Sequence, residues 1–452
     1  MSQKIQLKTF PDLAAVHRLD PARYPHFLSS AADTSGQRFS ILFLARGESL
    51  ELSATYQLSG PEGLVGKSGA FLAALKDWYL QLQLPATKEE ELPFTGGWFI
   101  YLGYELAAEV EPVLNLPEFA DTLPIAFAQR CPAAIIVEHN SRKAWLVAED
   151  KSLLEEMQTD LARSSKFSAT AKLPEFILRQ DPDQQYLEAV YKAREYIFAG
   201  DVFQVNLSRA WHLETEQEIA EPIAILEALH RDNPAPFAGL STYQGSAIIS
   251  SSPERLLEIR GRKLQTRPIA GTRPRSDDVD GDMALSAELI AHPKERAEHI
   301  MLIDLERNDL GRVCEIGSVV VDELMVLEEH PHVHHIVSNI RGKLQSDKTP
   351  IDAIAAVFPG GTITGCPKVR CMQIIAELEA TGRGPYTGSM GYLGRDGQLD
   401  LNILIRSLFQ RDQKLLFRTG GGIVADSIAA AELLETEAKA RGLLLAMGLE
   451  HA

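Results

Sequence analysis

The chain has 452 residues, with 45 Lys and Arg residues against 62 Asp and Glu residues, which gives a formal net charge of −17. Hydrophobic residues make up 45% and charged residues 24%. These proportions are typical of a globular protein with a large core and exclude a mainly disordered chain. The acidic balance argues against a nucleic acid or an anionic membrane as partner, because both require a basic surface. A small anionic substrate stays compatible with it, since a metal ion or one arginine can reverse the local field.

The compartment is predicted from features that the sequence lacks. Residues 1–13 contain no apolar segment of the length that a secretory signal needs. No run approaches the roughly 18 apolar residues of a membrane span. The four cysteines form no close Cys-x-x-Cys pair, which is typical of reduced thiols and not of a disulfide framework. We therefore predict a cytoplasmic protein.

The N-terminal third alternates strand-like runs with glycine-bearing turns. Apolar residues dominate the runs 39–44, 133–137 and 143–147. Residues 164–170 are small and polar, which is typical of a linker. The sequence therefore predicts an N-terminal domain over residues 1–163.

The second part, residues 185–450, begins with a helix. Apolar residues recur at helical spacing from residue 185, and Gly200 ends the pattern. Farther along, strands and helices are mixed and do not alternate strictly. This order favours an α+β fold over a doubly wound sheet.

The last helix is predicted from Ile428 to about Met447, with Asp426 or Ser427 as its capping residue. Its buried stripe is predicted to consist of Leu433, Ala440, Leu444 and Met447.

Three charged residues of this helix, Glu432, Glu435 and Lys439, cluster away from the stripe. In an arbitrary helix this pattern indicates a solvated face with a favourable Glu435–Lys439 pair. Two carboxylates at i and i+3 also form half of a Mg²⁺ site. The helix alone does not decide between the two interpretations.

Two glycine-rich loops are candidates for ligand contact. Residues 359–368 resemble a phosphate-binding loop in the spacing of Gly360 and Gly365, but Cys-Pro follows where Lys-Ser/Thr is required. Nucleotide binding is therefore disfavoured. The helix after this loop still offers free N–H groups to an anion. In the second loop, residues 419–422, the backbone can approach a ligand closely, and a tight turn is the simpler explanation.

Four histidines, at positions 330, 332, 334 and 335, precede a predicted strand at 336–340. A zinc site would need a further ligand that the sequence does not identify. One histidine acting as a proton donor is the favoured interpretation.

Six motifs then occur together in one order: Ser-Pro-Glu-Arg at 252–255, Pro-Ile-Ala-Gly-Thr-Arg-Pro-Arg at 268–275, Asp-Leu-Glu-Arg-Asn-Asp-Leu-Gly-Arg at 304–312, His-Ile-Val-Ser at 335–338, Gly-Thr-Ile-Thr-Gly-Cys-Pro-Lys at 361–368, and Gly-Ile-Val-Ala-Asp-Ser at 422–427. Because it carries these six motifs in this order, the chain from residue 185 onward resembles the chorismate-utilising enzymes. The resemblance implies two intertwined sheet-and-helix halves around a central cleft.

The N-terminal part resembles the domain that component I of anthranilate synthase shares with component I of aminodeoxychorismate synthase. The chain length and the segments 93–97 and 103–106 are more similar to the aminodeoxychorismate branch. That branch implies Mg²⁺-dependent amination of chorismate by ammonia to 4-amino-4-deoxychorismate, on the route to p-aminobenzoate and folate. No Gly-x-Cys-x-Gly elbow is visible, so the resemblance implies a separate glutamine amidotransferase subunit.

The resemblance also implies roles for individual residues. Glu298 and Glu435, with Glu432 close by, match the ligands of a Mg²⁺ ion that binds the ring carboxylate. His335 matches a general acid for the departing hydroxyl, and Glu254 matches a carboxylate suited to proton transfer near C2.

Substrate contacts are implied in the same way. Arg406 and Tyr386 match residues that bind the enolpyruvyl carboxylate, for which a guanidinium fork has the right shape. The remaining implied contacts are Gly271, Thr272, Thr362, Gly420, Gly421, Gly422 and Lys439.

Ala270 departs from the aminodeoxychorismate pattern, in which a lysine attacks C2 covalently. A methyl group cannot act as a nucleophile. Alanine at this position is typical of anthranilate synthases, in which ammonia itself attacks C2 and pyruvate is lost. We weigh the whole-chain likeness above this one position, because water can take the place of the lysine. Anthranilate synthesis is the second hypothesis and isochorismate formation the third. An inactive regulatory subunit is disfavoured.

A tryptophan pocket is the last feature that the resemblance suggests. Pro236 and Phe237 fit one wall of the family's pocket, whereas the segment that ends at Ser30 lacks the expected acid. Whether tryptophan binds is left open at this stage.

Overall fold

The structure, a computed structural model, describes residues 3–30, 38–65, 70–85, 92–167, 172–217, 221–275, 278–329 and 333–449. Two large antiparallel sheets of 12 and 11 strands dominate it, and helices pack against them. The prediction of an α+β fold is therefore confirmed.

The first sheet runs in the order β1 (Gln3–Gln6), β9 (Lys143–Ala148), β8 (Ala133–Glu138), β3 (Phe39–Leu44), β2 (His26–Ser29), β12 (Phe237–Tyr243), β13 (Ser246–Ser252), β22 (Ser407–Arg411), β23 (Lys414–Ile423), β11 (Gln204–Glu214) and β10 (Ile177–Gln180), and β19 (Gly365–Cys366) also pairs with β11. The second runs in the order β16 (Ile269–Pro274), β18 (Val333–Lys343), β15 (Lys263–Thr266), β14 (Arg255–Arg260), β21 (Leu399–Asn402), β20 (Ser389–Gly394), β6 (Gly97–Leu102), β7 (Ala126–Cys131), β4 (Ser49–Leu52) and β5 (Leu58–Ser59), and β17 (Val320–Glu329) also pairs with β18.

The α-helices are α1 (Leu13–Leu19), α2 (Phe71–Leu82), α3 (Ala107–Val110), α4 (Lys151–Ser164), α5 (Asp183–Phe198), α6 (Pro222–Asp232), α7 (Val279–Ala291), α8 (Pro293–Gly311), α9 (Pro350–Val357), α10 (Lys368–Glu379) and α11 (Ala429–Ala446). Short 3₁₀ turns lie at Tyr104–Leu106 and Gly361–Ile363.

The two parts of the chain are intertwined. In the first sheet β2 pairs with β12, and in the second β6 pairs with β20 over its full length. Residues 1–163 and 185–450 therefore both contribute strands to both sheets. The domain boundaries themselves stay a prediction.

Aromatic and aliphatic side chains pack the two sheets face to face. Phe43 and Ile248 from the first sheet meet Phe99, Phe127 and Met390 from the second in one buried cluster. Each fully buried side chain of this size contributes roughly 1.5–3 kcal/mol. This shared core holds the two sheets together.

Several predicted elements are confirmed. Strands occur at Phe39–Leu44, Ala133–Glu138 and Lys143–Ala148, and the helix Asp183–Phe198 ends before Gly200, which has a positive φ of 84°. The linker begins later than predicted, because α4 continues to Ser164. The Ser164 side chain is buried, and its hydroxyl donates to the Leu161 carbonyl at 3.0 Å. Residues 168–171 of the predicted linker lie outside the described residues.

The last helix also differs at its start. Its N-cap is Ile428, without a side-chain hydrogen bond. Ser427 does not cap the helix, because its hydroxyl accepts the Val424 amide at 3.0 Å. Asp426 was the other predicted capping residue, and this prediction is wrong as well.

Most of the predicted buried stripe of this helix is confirmed. Ala440, Leu444 and Met447 are buried, whereas Leu433 is only partly buried. Thr436 is buried as well, and its hydroxyl donates to the Leu433 carbonyl at 2.7 Å. Within the described ranges, no helix is long and apolar enough to cross a bilayer.

Candidate active site

Glycines 420–422 of β23 lie beside the charged face of α11. A Cβ atom on Gly421 would lie 3.4 Å from Glu432 Oε2 and 3.5 Å from Glu435 Oε1. Lys439 Nζ donates to the Gly420 carbonyl at 2.9 Å and pairs with Glu435 at 2.7 Å. The fold therefore brings Glu432 and Glu435, two of the three predicted metal ligands, next to the predicted substrate-binding glycines.

Glu298 approaches the same glycines through an intermediary. Gln204 of β11 donates its side-chain N–H to Glu298 Oε1. The Gln204 amide also fills the space that a side chain on Gly422 would need. The neighbouring residue His299 is buried and lies 2.6 Å from Ser338 Oγ, which ties α8 to β18. Together these contacts hold the predicted third carboxylate near the glycine segment.

The donor types around these glycines fit Mg²⁺, which prefers carboxylate oxygens. Glu432 and Glu435 point oxygens at one glycine, and Glu298 is linked to the next glycine by Gln204. Among the described residues, no three His, Cys, Asp or Glu side chains already stand in a metal-binding arrangement. Glu298, Glu432 and Glu435 therefore do not form a metal-binding group of three in this structure, and their role as Mg²⁺ ligands stays a prediction.

Glu254 lies between β13 and β14 and is buried. Backbone bonds fix its position: the Ile403 amide donates to its carbonyl at 3.0 Å, and its own amide donates to Ser252 Oγ at 3.2 Å. Burial raises the pKa of Glu254 to about 7, although the Thr362 hydroxyl and the Ile269 amide oppose this rise. Such a carboxyl group can hold and release a proton near neutral pH.

Arg406 and Lys439 contribute positive charge beside Glu254. Lys439 stabilises the carboxylate form of Glu254. Burial lowers the pKa of Arg406, and the charge of Glu254 opposes this decrease. The Arg406 backbone has a positive φ of 50°, and its carbonyl accepts the Ser251 amide at 3.0 Å. Glu254 is thus linked electrostatically to the Arg406 guanidinium and to Lys439 of α11.

The segment around Ala270 belongs to the second sheet. β16 pairs with β18, so that Ala270 lies opposite Ile336 and Thr272 opposite His335. The register shifts between them at Gly271, where φ is +72° and a Cβ atom would meet Glu295 Oε2 at 2.9 Å. The positive φ favours glycine at this bulge. The Ile269 amide, one residue earlier, connects the segment to Glu254.

The two described histidines of the cluster have different surroundings. His335 is buried and pairs in register with Thr272. His334 Nε2 lies 2.8 Å from Asp282 Oδ1. His330 and His332 lie outside the described residues.

The nucleotide interpretation of the loop 359–368 gains no support. Lys368 Nζ contacts Asp309 Oδ2 at 2.5 Å and the Val357 carbonyl at 3.1 Å. Its charge is therefore engaged by protein groups.

Tyr386 follows α10 and is buried. Burial raises its pKa to about 12, and a hydrogen bond with the Ser208 hydroxyl opposes this rise. Ser208 lies opposite Gly420 in the pairing of β11 with β23. Tyr386 is therefore linked to the glycine segment across one strand.

Sequence reasoning missed the polar network behind Tyr386. Glu379 Oε1 accepts the Ser208 hydroxyl at 2.9 Å and Arg383 Nη2 at 2.7 Å. Arg418 Nη2 donates to Glu379 Oε2 at 3.1 Å. All of these side chains are buried. A charged residue inside an apolar strand, such as Arg418, was the signal that could have indicated it.

Glu306 was also missed, although it lies within a quoted motif. It is buried on α8, and burial raises its pKa to about 7, with Asp309 adding to the rise and Lys368 opposing it. The charge of Glu306 in turn raises the pKa of Glu254. The buried carboxyl group of Glu306 therefore favours the protonated form of Glu254.

The predicted tryptophan pocket is separate from these groups. A small cavity of about 20 Å³ is lined by Leu28, Ser29, Pro236, Phe237, Ala238, Met390, Asp400 and Asn402. Ser30 is not among its lining residues, and its amide donates to Ser40 Oγ at 3.2 Å. The Arg255 guanidinium lies 4.9 Å from the Phe237 ring centroid, which places the cavity next to the residue that follows Glu254.

Comparisons with known proteins show the family of the chain. Residues 34–445 match the model of a family described as chorismate binding enzyme. An anthranilate synthase component I-like protein of Synechocystis is 45% identical over 79% of this chain and 74% of its own length. Aminodeoxychorismate synthase component 1 of Bacillus subtilis is 37% identical over 99% of this chain and 97% of its own.

A solved structure is similar as well. Anthranilate synthase component I from Streptococcus pneumoniae has a TM-score of 0.80 and 30% identity, covering 90% of this chain and 92% of that one. With a family match over most of its length and relatives on both branches, the chain belongs to the chorismate-binding enzymes and is a chorismate-utilising enzyme.

Proposed function

We propose that this protein aminates chorismate at C4 with ammonia, forming 4-amino-4-deoxychorismate and water, a step toward p-aminobenzoate and folate. One observation carries the proposal: the similarity to the aminodeoxychorismate synthase component 1 of Bacillus subtilis extends over 99% of this chain and 97% of the relative. The similarity to the anthranilate synthase-like relative of Synechocystis covers 79% and 74%.

Substrate binding is assigned to cationic side chains and to neutral hydrogen-bond donors, which suit the chorismate dianion. Arg406 and Tyr386 would bind the enolpyruvyl carboxylate, with the backbone of Gly420–Gly422 and Lys439 nearby. Glu298, Glu435 and Glu432 would hold Mg²⁺. When bound, Mg²⁺ would neutralise the ring carboxylate, which the net charge of −17 otherwise repels.

Proton transfer is assigned to Glu254 and His335. Loss of the C4 hydroxyl requires a proton on the leaving oxygen, and we assign the supply of this proton to His335. Glu254, a carboxyl group whose pKa is about 7, is assigned proton transfer near C2. Because Ala270 offers no nucleophile, a small molecule must act at C2 in place of lysine, and we assign this role to water.

Anthranilate synthesis is the second candidate, favoured by Ala270 itself and by the similarity to anthranilate synthase component I. In that reaction ammonia adds at C2 as the C4 hydroxyl leaves, and pyruvate is then eliminated. The two reactions differ in one readily measured product, because only the second releases pyruvate without a further enzyme.

The test uses the purified chain with chorismate, Mg²⁺ and an ammonium salt. We expect no pyruvate until an aminodeoxychorismate lyase is added, and p-aminobenzoate afterwards. Anthranilate with stoichiometric pyruvate in the absence of lyase would replace the first proposal by the second. The Ala270→Lys variant, compared with Ala270→Met as a bulk control, should trap a covalent adduct visible by intact mass if residue 270 faces C2.

We propose that ammonia comes from a glutamine amidotransferase subunit in a cytoplasmic heterodimer. Ammonium at alkaline pH should support turnover by the purified chain, whereas glutamine should do so only after an amidotransferase is added. Glutamine-dependent turnover by the chain alone would contradict this proposal.

A further inference from the structure

A clamp of three hydrogen bonds joins the N-terminal part of the chain to the turn that carries Tyr386. Glu105 Oε1 accepts the Arg383 amide at 2.7 Å and the Gly384 amide at 3.1 Å. The Tyr104 amide donates to the Gly384 carbonyl at 2.9 Å. The 3₁₀ turn at Tyr104–Leu106 therefore binds the Arg383 amide and both backbone groups of Gly384.

The turn is shaped for this contact. Gly384 has a positive φ of 56°, and a Cβ atom there would lie 2.7 Å from the Phe119 ring. Only glycine therefore allows the chain to present both amides to Glu105. Glu105 is itself only 3% exposed, and a buried carboxyl group is costly unless its hydrogen bonds are satisfied.

The clamped turn leads directly to Tyr386. The Tyr386 amide donates back to the Arg383 carbonyl at 3.1 Å, and the Thr387 amide donates to the Leu404 carbonyl at 2.8 Å. The position of Tyr386 is thus set by the residues that Glu105 holds. The Arg383 side chain is held separately, by Glu379.

We infer that Glu105 is a positioning residue for chorismate, holding the turn Arg383–Tyr386 so that the Tyr386 hydroxyl is correctly placed for the substrate carboxylate. The inference rests on the proposed substrate-binding role of Tyr386. It gives the N-terminal part of the chain a share in substrate binding, although Glu105 itself touches no reacting atom.

The chain offers a closely matched control in Glu109, four residues farther along. Glu109 accepts the Phe71 and Leu72 amides, both at 2.7 Å. Like Glu105, Glu109 is a carboxylate that accepts hydrogen bonds from two successive backbone amides. Its amides belong to the start of α2, and not to the turn that carries Tyr386.

The experiment compares Glu105→Ala, Glu105→Gln and Glu109→Ala in the full chain. We expect Glu105→Ala to raise the KM for chorismate about tenfold with kcat changed less than about twofold, because Tyr386 contributes a charge-assisted hydrogen bond to substrate binding. Glu105→Gln, which retains one acceptor oxygen, should fall between this variant and the wild type. Glu109→Ala should leave KM unchanged. When Glu105→Ala is combined with Tyr386→Phe, the KM for chorismate should rise little beyond that of Tyr386→Phe alone.

Amide hydrogen exchange of the peptide containing residues 383–386 gives a readout independent of turnover. It should accelerate in Glu105→Ala and remain unchanged in Glu109→Ala. Unchanged exchange, an unchanged KM in Glu105→Ala, or an equal rise in Glu109→Ala would overturn the inference. If Tyr386→Phe alone leaves KM unchanged while exchange accelerates in Glu105→Ala, the proposed role of Tyr386 fails and the clamp itself stands.

Discussion

Glutamates occur in two contrasting surroundings within the candidate active site. On α11, the Glu435 and Lys439 side chains are 50% and 40% exposed and pair with each other. Glu254 and Glu306 are buried, and burial raises the pKa of each to about 7. The same side chain is thus suited to hold a cation where water reaches it and to hold a proton where water is excluded.

The comparison is tested most strongly at Glu254. We expect Glu254→Gln to lower kcat by roughly 10²–10⁴-fold, because the amide cannot transfer a proton. Chorismate binding, measured by calorimetry, should be retained, because the substituted side chain keeps its size. A kcat within about tenfold of wild type would remove Glu254 from the proton-transfer role.

On the exposed side, Glu435→Gln should raise the Mg²⁺ concentration needed for half-maximal activity by about 100-fold, since a neutral amide is a poor ligand for this ion. Glu437→Gln on the same helix is the matched control and should leave the requirement unchanged. Full wild-type activity in excess EDTA would show that this helix face does not serve a metal.

The buried side is also expected to affect stability. A carboxyl group whose pKa is higher in the folded than in the unfolded chain binds its proton more tightly when folded. Its contribution is therefore most favourable at low pH and is lost as pH rises from about 4.5 to about 7. For Glu306 this loss amounts to about 3 kcal/mol.

Glu306→Gln should therefore reduce the fall in the free energy of unfolding between pH 5 and pH 8, measured by urea denaturation. Asp304→Asn on the same helix is the control. Its side chain is 64% exposed and pairs only with Arg307 within the described chain, so we expect an effect below about 0.5 kcal/mol. Parallel pH profiles for wild type and Glu306→Gln would contradict the assignment.

Local patterns explain which parts of the fold could be predicted. The strand Phe39–Leu44 and the helix Asp183–Phe198 follow from periodicity within a few residues. The start of α11 was predicted within one residue, but its capping residue was not, because Ser427 binds the Val424 amide of the preceding loop. The pairing of β2 with β12 joins residues more than 200 positions apart, which no short pattern encodes.

The candidate site divides in the same way. The resemblance pointed to Glu298, Glu435 and Glu254, of which Glu254 lies in the Ser-Pro-Glu-Arg motif. It missed Ser208 and Glu379, whose importance arises only when α10 and β11 pack together. The resemblance therefore predicted the expected chemistry, whereas the residues that surround and position these groups could be found only from the fold.

The central claim is that the chain aminates chorismate at C4. The most direct measurement uses isotopically labelled ammonium and NMR of the product formed by the purified protein without lyase. We predict that the labelled nitrogen is bonded to C4 and that the enolpyruvyl group is retained. Labelled nitrogen on C2 of an aromatic product, together with released pyruvate, would contradict the account and identify the reaction as anthranilate synthesis.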